Sequence, residues 1–374
     1  MNELSGITDI AKSFTEKDLR PRREMLDAPS AMPSDEALAE LLKVLADIRF
    51  FSMMAAEEDG GAGQGVAACA AFIEEVSRVS PALGVVMASH TAAVIPVLVC
   101  ADEEQRKNIV QTIVAAEEKG EAPLFTLCWM EDAVKLGGGL GLEETETVVG
   151  EGRVSGKKIA VPAAKAAKNL VVLAKTEDQK FSFVCVSADA GGVAVGEGRE
   201  MMGLRLCPFS DVGFDGVSGG RVVASGLAHK DVLKIFARFE ACLGAVCVGM
   251  MCEAYAQAKS YAAERYQAGR MIIDHDAVRE MLVGIASGIE KSRALVGKAA
   301  ADETSPANLL CSATCAEEAV AAALDGIQIL GGYGYMKDYP LERILRDAKT
   351  FQTAVVLPQC RKMEYMKYEV KKDR

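Results

Sequence analysis

The sequence predicts an α+β protein of three domains: a helical N-terminal domain (residues 1–122), an antiparallel, β-barrel-like middle domain (123–229) and a C-terminal four-helix bundle (230–374). Three observations lead to this prediction. The chain has 374 residues, which is enough for two or three domains. Its apolar residues follow a helical period at both ends and form short β-branched runs in the middle. Half of its residues are apolar and a quarter are charged, as in an ordinary globular protein.

The N-terminal domain is predicted from the period of its apolar residues. In CAAFIEEVSRVS, Phe72, Ile73 and Val76 fall on one face of a helix, with charged side chains on the other face. A segment with Gly and Pro at 118–123 favours chain reversal, and the character of the sequence changes after it. We therefore expect packed amphipathic helices up to residue 122.

The middle and C-terminal domains are separated by a second change of period. From residue 124 to about 228, short runs such as NLVVLAKT and FSFVCVSA are broken by Gly, Asp and Lys, which is typical of antiparallel strands. From Lys230 onward, long amphipathic stretches with few breakers predict a bundle of helices. The clearest helical series is Val278, Leu282, Ile285 and Ile289.

Charge and hydropathy exclude several classes of function. The 42 Lys and Arg residues against 53 Asp and Glu give a net charge of -11, which repels nucleic acid and anionic lipid. The first residues, MNELSGITDIAKSF, lack the basic and apolar regions of a signal peptide, and no run of 18 consecutive apolar residues occurs. We expect a cytoplasmic protein that binds neither nucleic acid nor membrane.

The cysteine and histidine patterns give no support for a metal site or a disulfide framework. The eleven cysteines form no CxxC pair, and most lie in apolar runs, which predicts buried free thiols in a reducing compartment. The three histidines, His90, His229 and His275, are far apart in the sequence and form no HExxH motif. We predict no metal.

Two glycine clusters attract attention because glycine-rich loops can hold phosphate. KLGGGLGL at 135–142 is followed by a polar, strand-like segment in place of a helix, which favours a flexible loop over a phosphate site. The second cluster contains Gly331 and Gly332 and follows an apolar helix. Its position favours an ordinary helix C-cap.

Several segments nevertheless resemble one enzyme family. QILGGYGYMKDYPLERILRDAK at 328–349 resembles the C-terminal signature of the acyl-CoA dehydrogenase family. AAEEDGGAGQG at 55–65 is similar to the family's PEEYGGxG loop, and YAAERYQAGRMIIDHDAV at 261–278 to its YAxERxxFGKPIxxxQAV segment. MGLRLCPFSDVGFDGV at 202–217 resembles MGxRxSxTxxxxFxxVxVP. The matches span roughly residues 55–362, and the order helical, β, helical agrees with the family's fold.

The resemblance implies a flavin-dependent reaction, but the family's base is missing. In the family, FAD lies between the β-domain and the C-terminal bundle, a glutamate in Y-E-G-T removes the α-proton of an acyl-CoA, and flavin N5 takes the β-hydride. Here Val355 stands at the glutamate position, and valine cannot accept a proton. A minority of the family carries its base on the first bundle helix, at a position that is Phe239 here. Glu240 follows one residue later, about 100° around the helix, and is the remaining candidate base.

Flavin contacts made within one subunit are also lost by the same alignment. A threonine that bonds the ring, a serine that reaches the pyrophosphate, a tryptophan beside the isoalloxazine and a further hydroxyl donor are replaced. The residues now at these positions are Met130, Leu136, Ala160 and Pro162. We therefore expect no isoalloxazine beside residues 130 and 160, and a cleft near Val355 that is empty or filled by side chains.

Contacts that one subunit lends to its neighbour's FAD are retained. The resemblance places Arg265 at the partner's pyrophosphate, and Gln328, Gly331 and Gly332 at the partner's ADP half. The alternative is that Arg265 is an ordinary surface arginine and that the glycines only shape the bundle. Random loss would not separate the two sets by the flavin they serve, so we expect Arg265 and Gln328 to be exposed near a subunit interface.

This pattern predicts the base-less subunit of a heteromeric FAD-dependent acyl-CoA dehydrogenase, which desaturates an acyl-CoA at the α,β position. The expected partners are a second family subunit that supplies the base and the acyl-CoA substrate, with an electron-transfer flavoprotein as a further candidate. We expect the isolated chain to be inactive. Two alternatives stay open: a homotetrameric dehydrogenase with a relocated base, and a flavin-free relative that binds acyl-CoA. The sequence does not specify the acyl chain.

Overall fold

The computed structural model describes residues 2–27, 34–132 and 138–372 of the chain. Within these residues, the N-terminal region is helical, as the period of its apolar residues predicts. Its α-helices are α1 (Asn2–Phe14), α2 (Ser34–Asp47), α3 (Val66–Ser77), α4 (Pro81–Cys100) and α5 (Glu103–Glu117).

Local sequence accounts for the bounds and the packing of these helices. Helix α4 begins where Ser80 accepts a hydrogen bond from the backbone N–H of Leu83 at 3.3 Å, and a proline occupies its first position. On α3, Phe72, Ile73 and Val76 are all buried. The predicted apolar face of α3 is therefore the face that packs against the core.

Two helices are long and apolar enough to cross a membrane by length and composition alone. They are α4 and the first helix of the C-terminal region, α6 (His229–Glu264). In the most apolar window of each, 78% and 89% of the residues are buried inside the protein. This burial is what the central helices of a globular core show.

The middle region forms one mixed sheet of eight strands. Its strands are β1 (Phe125–Cys128), β2 (Val148–Gly150), β3 (Arg153–Pro162), β4 (Asn169–Lys175), β5 (Phe181–Ser187), β6 (Val193–Val195), β7 (Phe209–Val217) and β8 (Arg221–Leu227). They are arranged in the order β6-β7-β3-β2-β4-β5-β8, with β1 paired to β4.

The expected antiparallel, barrel-like arrangement needs two corrections. First, β1 and β2 both pair with β4 in parallel. The interior of β4 and all of β1 are buried, and such continuous apolar runs do not reveal strand direction. Second, in the described part of the chain the sheet ends at β6 on one side and β8 on the other and does not close. Strand β2 has only three residues and meets β4 at a single residue pair, which limits the continuity of the sheet there.

The C-terminal region is the predicted bundle. After α6 come a short hairpin, β9 (Tyr266–Gln267) and β10 (Arg270–Met271), and then α7 (Asp276–Ala301), α8 (Leu309–Leu330), α9 (Leu341–Thr350) and α10 (Pro358–Lys372). Helix α6 packs against α7 and α8 on one side and against α3 and α4 on the other, and so joins the bundle to the N-terminal helices. The helical, β, helical order of the prediction is confirmed.

The segment between β6 and β7 docks on the bundle through Gly203. The backbone N–H of Gly203 donates to Thr350 Oγ1 at 3.0 Å, and that of Leu204 donates to Asp347 Oδ1 at 2.5 Å. A Cβ atom on Gly203 would lie 2.4 Å from the backbone carbon of Arg346, so only glycine permits this approach. Arg346 in turn binds Asp27 at 2.5 Å and thereby ties the N-terminal segment to the same junction.

Candidate functional site

The cleft at Val355 is a small cavity that is partly open to the surface, and Val355, Trp129 and Pro162 in its walls are half-buried. It has a volume of about 50 Å³, and its walls come from α4, β1, β3, α6, α10 and the segment between α9 and α10. A pocket that holds a drug-sized ligand measures roughly 300–1,000 Å³, so this cavity has room for one or two water molecules. Val355, Phe239 and Arg361 line it, together with Leu127 and Trp129.

Aromatic side chains occupy much of the space between the middle sheet and α6. The rings of Trp129 and Phe236 lie 5.5 Å apart in an edge-to-face arrangement, and those of Phe236 and Phe239 lie 5.3 Å apart. Such contacts stabilise the packing beyond the burial of their area. Side chains of the chain itself thus occupy most of the cleft and leave the small cavity at Val355.

Glu240 is buried in an ion pair. Its Oε1 lies 3.0 Å from Arg361 Nε, and Ser312 Oγ donates to its Oε2. Burial raises the pKa of Glu240, against the opposing effects of Arg361 and Ser312. Arg361 also donates to the backbone oxygen of Val356. The carboxylate therefore has partners on α8 and α10, and Phe239, not Glu240, lines the cavity. This geometry does not favour Glu240 as a base that reaches a substrate.

The backbone of β3 at Ala160 is held by the carboxylate of Asp211. Ala160 has a φ of 47°, and its N–H donates to Asp211 Oδ1 at 3.2 Å. Asp211 binds Arg199 at 2.6 Å and Lys157 at 3.0 Å. Burial opposes ionisation of Asp211, but these cations and the N–H of Ala160 outweigh it and lower its pKa to about 2. The backbone at the former tryptophan position is therefore fixed without an aromatic ring.

Of the other replaced positions, Met130 and Pro162 lie in the described part of the chain. The backbone oxygen of Met130 accepts a hydrogen bond from Ile159 at 2.9 Å, which joins the two segments that the family uses around the flavin ring. Pro162 lines the small cavity. Leu136 lies outside the described residues. An isoalloxazine does not fit the cavity, because its volume is too small and no hydroxyl or indole stands at residues 130, 160 or 162.

The four retained positions come together in a second, larger pocket on the surface. It has a volume of about 710 Å³ and lies between the end of α6, the β9–β10 hairpin and the end of α8. Arg265, Gln328, Gly331 and Gly332 all line it, and all four are exposed. Gly331 ends α8 with a φ of 58°, so its role as a helix cap and its place in the pocket are compatible.

Sequence reasoning did not single out His275, which lines the same pocket. Its Nδ1 lies 3.2 Å from Arg270 Nε and its Nε2 lies 3.1 Å from the backbone oxygen of Gln267. The ring connects the hairpin to the start of α7. Its position just before a helix is the signal that could have drawn attention to it.

Large apolar and aromatic side chains surround this pocket. Tyr335 is 79% exposed and Tyr266 is 63% exposed, and Met271, Tyr333 and Met336 are also exposed. Aromatic residues and methionine are enriched in the cores of protein interfaces and are unfavourable as a contiguous exposed patch. The surface pocket thus combines exposed polar side chains with a rim of exposed aromatic and methionine side chains.

The thiols and acidic residues add no further site. Burial raises the pKa of Cys69, Cys128, Cys185 and Cys207 to about 12, as expected for cysteines in apolar runs. Among the described residues, no group of three or more His, Cys, Asp or Glu side chains is arranged to hold a metal ion.

Comparison with known proteins covers nearly the whole chain. Family models of the acyl-CoA dehydrogenase N-terminal and C-terminal domains match residues 2–117 and 230–354. The chain is 29% identical over 364 residues to an acyl-CoA dehydrogenase of Bacillus subtilis, covering 92% of this chain and 91% of that protein. It is 28% identical over 363 residues to a subunit of the caffeyl-CoA reductase–Etf complex of Acetobacterium woodii, covering 92% of each. A structure of an acyl-CoA dehydrogenase of Bacillus anthracis complexed with FAD superposes with a TM-score of 0.82 at 20% identity, covering 100% of this chain and 68% of that one.

Proposed function

Because this chain belongs to the acyl-CoA dehydrogenase family, we propose that it is the base-less subunit of a heteromeric FAD-dependent acyl-CoA dehydrogenase. The observation that carries this proposal is the contrast between the two cavities. The cavity at Val355, of about 50 Å³, is too small for a flavin ring, whereas the surface pocket at Arg265 measures about 710 Å³ and has the exposed side chains of Arg265 and Gln328 in its lining. This chain then supports the cofactor of another subunit and holds none in its own cleft.

Each residue of the surface pocket has a defined task in this proposal. The guanidinium of Arg265 binds and neutralises the pyrophosphate of the partner's FAD, because arginine forms strong paired hydrogen bonds to phosphate. Gln328 offers amide hydrogen bonds to the ADP half. Gly331 and Gly332 carry no side chain, and a Cβ at either position would meet no atom within 4 Å on this chain. The open backbone there lets the cofactor approach closely.

The partner subunit supplies what this chain lacks. Removal of the α-proton of an acyl-CoA needs a carboxylate near the flavin, and Val355 cannot provide it. FAD supplies the hydride acceptor when it is bound to the partner. One relative belongs by name to a complex with Etf, which supports an electron-transfer flavoprotein as the electron acceptor of the assembly. The alternative of a base relocated to Glu240 loses support from the buried ion pair with Arg361.

Co-expression with an unlike member of the family tests the proposal. We expect a stable complex with one FAD for each pair of unlike chains, and a colourless chain when this protein is purified alone. Bleaching of the flavin on addition of an acyl-CoA should require the partner. A homo-oligomer of this chain that carries one FAD per subunit and reduces it with an acyl-CoA would overturn the proposal.

A further inference from the structure

The glycine-rich segment that follows β1 is held to the bundle by a histidine between two carboxylates. His229, the first residue of α6, has its Nδ1 3.0 Å from Glu143 Oε1 and its Nε2 2.7 Å from Glu364 Oε1. Glu143 lies just after the glycine run, and Glu364 lies on α10. One imidazole ring therefore joins a loop, the first bundle helix and the last helix.

Both hydrogen bonds exist together only when the ring is charged. A carboxylate accepts hydrogen bonds, and a neutral imidazole has a single N–H to donate. When the ring is neutral, one of the two carboxylates faces a nitrogen lone pair. Glu364 is 1% exposed and cannot exchange His229 for water, whereas Glu143 is 58% exposed and can turn into solvent. Loss of the proton thus releases Glu143.

Glycine is required for the loop to reach this junction. The backbone N–H of Leu140 donates to Glu364 Oε2 at 2.8 Å. Gly139 has a φ of 89°, and a Cβ atom there would lie 2.4 Å from the same oxygen. The glycine run that resembled a phosphate loop is therefore a close approach of backbone to carboxylate.

Other charged groups face the junction and modify it. Cations on α10 and β4 help to hold the loop: Lys371 lies 3.3 Å from Glu143, Lys367 donates to the backbone oxygen of Gly138, and Lys175 donates to that of Glu143 at 2.5 Å. The flanking charges on α6 are Lys230, which lines an adjoining pocket of about 410 Å³, and Asp231, which caps the helix by accepting from Ala228 N at 3.1 Å. The ring of Phe181 on β5 covers one side of the imidazole, with centroids 6.4 Å apart.

We propose that His229, Glu364 and Glu143 form a protonation-dependent clasp, which holds residues 138–143 against α6 and α10 when the imidazole is charged and frees the Glu143 side when it is neutral. The direction of the expected response follows from the groups present. Burial lowers the pKa of His229, but the bonds and charges of Glu364 and Glu143 outweigh it and raise the pKa above 6.5. The clasp therefore stabilises the folded protein fully below pH 6.5 and is lost as the pH rises through the higher value.

Two measurements on the full chain test the clasp. With only three histidines, selective labelling for NMR resolves each titration. We expect His229 to titrate above 6.5 and its pKa to fall in Glu364→Gln. Hydrogen exchange of residues 138–145, corrected for intrinsic rates, should accelerate about tenfold as His229 loses its proton, which is the effect of losing one charged hydrogen bond.

Variants separate the clasp from a merely structural histidine. His229→Gln keeps one donor but no charge, so exchange in residues 138–145 should be fast at every pH, and Gly139→Ala should have the same effect through its clash with Glu364. His275→Gln is the matched control and should leave the wild-type pH profile of the loop unchanged. Titration of His229 at or below 6.5, or loop exchange that does not follow its titration, would overturn the proposal.

Discussion

The cavity at Val355 and the surface pocket at Arg265 lie towards the two ends of one bundle and differ in volume and in the pairing of their charged side chains. The cavity is small, and the one cationic side chain among its lining residues, Arg361, is compensated by Glu240. The pocket is large, and its arginine is exposed. The side chains around the cavity fill most of the space and satisfy one another. The pocket keeps polar groups that a ligand can still use, which fits a cofactor delivered by another chain.

The strongest test of the packing around the cavity is removal of the anion that compensates Arg361. Glu240→Ala leaves Arg361 buried without a counter-charge, and loss of one partner of a buried ion pair destabilises by about 3–5 kcal/mol. Urea unfolding should show this loss, and the double variant Glu240→Ala with Arg361→Met should recover most of it. A loss of stability below about 1 kcal/mol would mean that water reaches the ion pair of Glu240 and Arg361.

The second test addresses the open pocket. Arg265→Ala removes a charged contact to the partner's pyrophosphate, and such a bond contributes about 1.5–3 kcal/mol, equivalent to a roughly 10- to 150-fold weaker affinity for FAD. Titration of FAD into the deflavinated complex measures it. Arg279→Ala is the control, because Arg279 binds Asp274 and the backbone of Ile273 outside the pocket. Equal affinity in the Arg265 variant and the wild type would remove the main support for a shared cofactor.

A smaller effect is expected at Asp211, which holds the backbone of Ala160 on β3. Asp211 has a pKa lowered to about 2, so its ion pairs stabilise the fold above its ordinary value of 3.8 and are lost as the pH falls towards 2. Asp211→Asn should lower stability by less than about 1 kcal/mol at pH 7, since the group is partly exposed. Thermal unfolding from pH 7 to pH 2 should show the difference from wild type vanish at the acid end. A constant difference would assign the effect to lost packing.

The smallest effect is expected at the former base position. Val355→Ala in the complex should change turnover of acyl-CoA less than twofold, because no proton passes through this side chain. Steady-state kinetics of the assembly measures it, with loss of the partner subunit's own glutamate as the positive control. A large loss of turnover in the Val355 variant, with stability unchanged, would place chemistry in the cavity at Val355 after all.

Local patterns of the sequence were sufficient for the helices and insufficient for the sheet. The burial of Phe72, Ile73 and Val76 follows directly from their spacing. The parallel pairing of β1 with β4 could not be predicted, because these two buried runs carry no alternation, and the pairing of β2 depends on a segment distant in the sequence. The middle domain was expected to be barrel-like, and the described part of its sheet is not a closed barrel.

The site shows the same division between local and distant information. Motif positions identified Val355, Arg265 and Gln328 from the sequence. In the structure, Arg265 and Gln328 line the same pocket. The ion pair of Glu240 with Arg361 joins residues 121 positions apart, and neither residue carries a local signal that names its partner. The role of His229 also depends on two carboxylates from distant segments, which only the folded chain brings together.

The contacts of Gly203 with α9 affect what can be concluded when a gene is assigned to this family by its sequence signature. Within the family's characteristic RDAK letters, Asp347 accepts from the backbone N–H of Leu204 and Arg346 binds Asp27, while Thr350, directly after them, accepts from the N–H of Gly203. These letters therefore record the docking of one structural layer on another, and natural selection for folding alone can preserve them after the chemistry has gone. A gene assigned by this signature inherits an architecture, while its catalytic base has to be identified separately, at positions such as the one six residues beyond Lys349.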